Sequence, residues 1–209
     1  MHPDLIAGPD TAAPVADRAG RFALNREKAL ALFASKGFAQ VGMRELATQM
    51  GVSPGALYHH YPSKQHLLFD FVEEFYEELL EAMQIADVQS GDRVGAVIDA
   101  HLDLYARLHW HFSIAMRDGD SLTPELQQEV AALKARYHEK LSALLDFRRI
   151  DCCDEVQAVT RAIAALLNAT PAWVNESALQ APARRALLEN LLRGAIERLL
   201  SHGAVAVTF

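Results

Sequence analysis

Apolar residues recur every three or four positions along most of this chain, the period of a helix with one buried face. FALNREKALALFASKG sets Ala23, Ala29, Leu30, Leu32 and Phe33 near one face, and Gly37 is a suitable stop. MRELATQM lies between Gly42 and Gly51, with Glu45 three residues after the N-cap position. PGALYHHY begins behind Ser53, with Pro54 at the first helical position, and Pro62 ends it. Ser63 caps the next helix, whose stripe runs through Leu67, Leu68, Phe71, Val72, Phe75, Leu79 and Met83. SGD at 90–92 marks a break. RVGAVIDAHLDLYARLHWHFSIAMRD then predicts one long helix ended by Gly119. Thr123 and Pro124 open TPELQQEVAALKARYHEKLSALLDF. DEVQAVTRAIAALLNATPAWVNE follows, with a kink expected near Pro171. APARRALLENLLRGAIERLLSHG is the last helix. AVAVTF alternates but could not form a sheet alone. The predicted fold class is all-α.

Two short helices joined by a tight turn, with a third packed over them, predict a helix-turn-helix at about 42–61. In such a head the second helix meets base edges while the first crosses the backbone. Leu46, Ala47 and Met50 form an apolar seam that Val52, Leu57 and Tyr61 can cover. Pro54, Gly55, Ala56, Tyr58, His59 and His60 are left pointing elsewhere.

Charge sharpens this picture. The 209-residue chain carries −7 overall, yet Arg18 to Lys64 holds seven Lys/Arg against Glu27 and Glu45, a local +5. The rest therefore carries −12. An acidic chain with a basic first quarter suggests local contact with a polyanion. No run of 18 apolar residues suggests a membrane span, and the N-terminus lacks the pattern of a secretory signal. Residues 1–20 are expected to be a mobile tail, or an arm touching DNA through Arg18 and Arg21. Cys152 and Cys153 are adjacent, which suits neither a disulfide framework nor a zinc site. A reduced, cytoplasmic setting is expected, with a redox role for the pair as the alternative.

From Phe22 to Met83 the sequence closely resembles the DNA-binding head of the TetR family of bacterial transcriptional regulators. The run LFASKGF and then RELATQMGVSPGALYHHYPSKQHLL carry the resemblance. It implies a helix-turn-helix domain over 21–82 and a ligand-binding and dimerisation domain over 83–209. It also implies roles for single residues. Arg44 would reach a phosphate or base edge, and Ser53, Pro54, Gly55 and Ala56 would enter the major groove. Tyr58 and His60 match phosphate-binding positions. His59 matches a variable position that meets bases or sugar–phosphate, and Lys64 matches a phosphate clamp at a helix start. Gly42 stands where many members have Ser or Thr, so one hydroxyl contact is missing. Small Gly55 and Ala56 shift base readout toward His59, Arg44 and DNA shape.

In the body, His101, Tyr105, His109, Phe112 and Met116 follow an i, i+4 track that could line a pocket or simply be core. Tyr137, His138, Asn168 and Trp173 are further pocket candidates. No His spacing predicts a metal site, and no cofactor is expected. Leu187, Leu188, Leu191, Leu192, Ile196, Leu199 and Leu200 cover more of the last helix than one stripe needs. The last two helices are therefore expected to pair two copies into a symmetric homodimer. The ATPAWV segment resembles family members that regulate fatty-acid and sterol catabolism, whose effectors are often acyl-CoA thioesters. Without a nucleophile–base pair, an enzyme is not expected. The resulting expectation is a repressor that binds double-stranded operator DNA and is released by a small molecule. An activator, or a ligand-independent DNA-binding protein, is the alternative.

Overall fold

The computed structural model describes residues 15–89, 91–145, 147, 153–175 and 180–202, and side chains within them except those of 15–24, 86–89, 170–175, 181, 184 and 199–202. Among the described residues there are nine α-helices and no strand. They are α1 (Val15–Lys36), α2 (Met43–Met50), α3 (Pro54–His60), α4 (Lys64–Gln89), α5 (Arg93–Arg107), α6 (His109–Arg117), α7 (Pro124–Leu145), α8 (Cys153–Asn175) and α9 (Ala181–His202). The contacts divide the chain into two compact units, Met1–Pro62 and Ser63–Phe209. That division falls earlier than a boundary after residue 82, because α4 packs along α5, α6 and α7. Residues 15–20, expected in the tail, are helical.

The first unit is built by its helix ends. Gly37, with φ 83°, follows α1, and its N–H donates to the Phe33 carbonyl at 2.9 Å. Phe33 and Phe38 then face each other at 5.4 Å. Gly51 ends α2 in the left-handed region, φ 70°. Its N–H donates to Thr48 and that of Val52 donates to Ala47, which satisfies two orphan carbonyls of the last turn. That bend sends the chain directly into α3. Ala29, Leu30, Phe33, Leu46, Ala47, Met50 and Leu57 are buried together as the core. Each large side chain there contributes about 1.5–3 kcal/mol by leaving water.

The second unit is a helical bundle around α4. Its core joins Phe71, Phe75 and Leu79 of α4 to Ile98 of α5, Tyr137 and Leu141 of α7 and Ile163 of α8. α9 packs on α5 and α8. Asp92 caps α5 by accepting from the Gly95 N–H at 3.0 Å.

The single long helix expected over 93–118 is two helices. Leu108, with φ −117° and ψ 36°, separates α5 from α6. The break is slight: the Leu108 N–H still donates to Leu104, and Phe112 to Leu108. His111, seven residues after Leu104 and so on the same helical face, is buried edge-on to Phe71, ring centroids 5.7 Å apart. α8 continues past Pro171 to Asn175.

Candidate nucleic-acid interface

α3 is seven residues long and starts where its sequence dictates. The Ser53 hydroxyl accepts from the Ala56 N–H at 3.1 Å, and Pro54 occupies the first turn without needing a donor. Leu57 is the one residue of α3 in the core. Ser53, Pro54, Gly55, Ala56, Tyr58, His59 and His60 are all exposed. Tyr58 is 51% exposed, unusual for a side chain this large. The His59 and His60 rings meet edge to face at 5.7 Å. Tyr61, half-buried, closes the helix with its N–H on the Leu57 carbonyl at 2.8 Å. An added Cβ at Gly55 would meet nothing within 4 Å, so this surface is open to close approach.

Arg44 is exposed in the first turn of α2. Beside it Glu45 receives the ammonium of Lys36, and that hydrogen bond holds the Glu45 carboxyl below its ordinary pKa. Lys36 is therefore partly neutralised, a pairing that charge counting missed because the partners lie nine residues apart. In the second unit Lys64 is the first residue of α4 and half-buried. Ser63 precedes it, its hydroxyl 2.9 Å from Nδ1 of His66.

The pocket candidates part company. His101 and Tyr137 come together in the core, Nε2 to hydroxyl at 2.8 Å. Burial pushes the His101 pKa down to about 4 and the tyrosine's up. Tyr105 and Phe112 meet at 5.3 Å, both half-buried. His109 and Met116 are exposed, so the five residues form no continuous buried track. Asn168 is half-buried on α8, and the Trp173 side chain lies outside the described residues. His138 instead lines a groove between α7 and α8 with Arg161.

The dimer candidates also divide. Leu187 and Leu191 are 48% and 55% exposed. Leu192 and Ile196 are buried within their own unit against α5 and α8, which removes them from any surface. The Leu199 side chain lies outside the described residues, as do Cys152 and the side chains of Arg18 and Arg21. No helix among the described residues is long and apolar enough to cross a membrane. No group of three potential metal ligands occurs among them.

Residues 26–71 match the family model described as bacterial regulatory proteins, tetR family. Residues 87–178 match the tetracyclin repressor-like C-terminal domain. An uncharacterized HTH-type transcriptional regulator, YuxN of Bacillus subtilis (strain 168), is 38% identical over 52 residues, 25% of this chain and 18% of that protein. The chain thus spans less than a fifth of that relative. The crystal structure of the TetR family transcriptional regulator PfmR from Thermus thermophilus superposes with a TM-score of 0.67 at 25% identity, covering 86% of this chain and 98% of that one. AibR, solved in complex with isovaleryl coenzyme A and operator DNA, shares the fold at a TM-score of 0.65 and 19% identity, again over 86% and 98%.

Proposed function

The chain belongs to the TetR family of bacterial regulatory proteins, and on that premise we propose that it is a cytoplasmic homodimeric repressor of transcription, released from operator DNA by a small molecule. Family members are regulators of transcription rather than enzymes. One observation carries the DNA-binding part: α3 buries Leu57 alone and exposes Tyr58, His59 and His60 in a basic, family-matched segment. In this reading Ser53, Pro54, Gly55 and Ala56 enter the major groove. Arg44, Tyr58, His60 and Lys64 hold phosphates, and His59 meets bases or sugar–phosphate.

Leu187 and Leu191 of α9 form the centre of the dimer face, since a large leucine pair half in water on a packed helix calls for a partner. Two copies would then present two α3 helices to half-sites of a palindrome. Release requires an effector that binds the DNA-incompetent state more tightly, because equal affinity shifts nothing. An acyl-CoA or another hydrophobic ligand is the proposed effector class, supported by the isovaleryl coenzyme A bound in AibR.

The test is binding of the full chain to DNA flanking its own gene, against random DNA of equal length. A specific regulator should prefer the flanking DNA by about a thousandfold or more at physiological salt. Equal affinity for both would overturn the reading.

A further inference from the structure

Between α7 and α8 lies an open groove of about 380 Å³. Ala135, His138 and Ser142 line it from α7, and Val156, Thr160 and Arg161 from α8. The wall is largely apolar, and its polar groups are few. The Thr160 hydroxyl is already committed, donating to the Val156 carbonyl at 2.7 Å. That leaves His138, Ser142, Gln157 and Arg161 as the donors a ligand would meet, with Glu139 also in the lining.

Two observations bear on what this groove can hold. Arg107, Arg117, Arg185 and Arg193 of the second unit each hold a carboxylate. Arg161, like Arg93 and Arg136, has no carboxylate ion pair among the described residues, and of these three it alone lines the groove. The charges His138 feels are positive as well. Burial first, then Arg161 and Lys134, hold its pKa below the ordinary value. At neutral pH its ring is therefore uncharged, with one N–H to donate and one nitrogen to accept.

We infer that this groove binds a small amphipathic carboxylate, its anionic end on Arg161 and its apolar end along Ala135 and Val156. The volume falls in the range of small-molecule sites, and an arginine fork suits a carboxylate. The site goes beyond the effector reading above, which names no groove, and it concerns binding whether or not DNA is released.

Sodium decanoate is the probe, titrated calorimetrically into the full chain without DNA, with decanol and decyltrimethylammonium as the neutral and cationic controls. Decanoate should bind about tenfold more tightly than decanol, the worth of one charge-assisted hydrogen bond. Arg161→Gln should abolish that preference, Arg161→Lys should restore part of it, and Ala135→Phe should weaken both ligands by filling the wall. Arg161 is exposed, so its substitution should leave the thermal midpoint unchanged. Equal binding of decanoate and decanol, or a preference that survives Arg161→Gln, would overturn the site. Because no DNA is present, failure here leaves the operator experiment to stand or fall alone.

Discussion

The His101 ring and the Tyr137 hydroxyl meet at 2.8 Å inside the second unit, with Nδ1 of the same ring 2.7 Å from the Val97 carbonyl. The carbonyl can only accept, so Nδ1 carries the proton and Nε2 accepts from Tyr137. A buried polar pair on α5 and α7 is thus fully matched only while the imidazole is neutral.

The pair makes stability depend on pH. Burial lowers the His101 pKa from 6.5 to about 4, so between those values the unfolded chain holds a proton that the folded chain refuses. The stabilisation is complete above pH 6.5 and is lost as pH falls toward 4, by roughly 3 kcal/mol at most. Denaturant melts across that window should show the loss. The double substitution His101→Leu with Tyr137→Phe should flatten it. Tyr137→Phe alone should cost about 1–3 kcal/mol at pH 7, by leaving Nε2 buried without a donor.

A side chain at Gly95 would displace the Asp92 cap and its Arg193 partner. A Cβ there would lie 2.5 Å from the Asp92 carboxylate and 2.6 Å from the Arg193 guanidinium. Both groups can swing aside, but the Asp92 cap on α5 and its 2.7 Å ion pair with α9 would then be lost. The cap is worth about 1 kcal/mol and the ion pair up to about 1, against a propensity gain of up to about 1 for alanine, so Gly95→Ala is expected to lose up to about 1 kcal/mol net. Arg193→Ala should lose less, since exposed pairs are worth little. Thermal denaturation of the two variants separates these terms.

The exposed and buried leucines of α9 should respond in opposite ways. Leu187→Glu with Leu191→Glu should yield a folded monomer, read by sedimentation, whose thermal midpoint falls only by the lost dimer contribution and no longer depends on chain concentration. Leu192→Ala should instead destabilise by about 2–4 kcal/mol through a core cavity. A dimer that survives both glutamates would move the proposed interface off this face.

The helix ends of the first unit are legible because local chemistry decides them. Gly51 must take a left-handed turn, Ser53 caps, and Pro54 and Pro62 punctuate. The break at Leu108 is not legible in this way. No glycine or proline marks it, and the HWHF run continues a helical period. Packing accompanies it: His111 reaches Phe71 on α4, and Phe112 sits at 5.6 Å from Phe75. Pocket residues read at i, i+4 drift around the helix, so His101 lies inside and His109 in water, while the buried Val97, His101, Leu104, His111 and Ala115 share one face. The same limit applies to α9. Its leucines cover a wide arc, but only tertiary contacts show that Leu192 faces inward and Leu191 outward.

The measurement closest to the central claim is the salt dependence of DNA affinity for the unaltered chain and for Tyr58→Phe with His60→Ala. Both side chains are exposed on α3, so the fold should persist. If they hold phosphates, affinity should fall about equally on flanking and random DNA, with a salt slope shallower by up to about 1. Affinity and slope unchanged from the parent chain on both DNAs would contradict the assignment of α3 as the DNA-contacting helix.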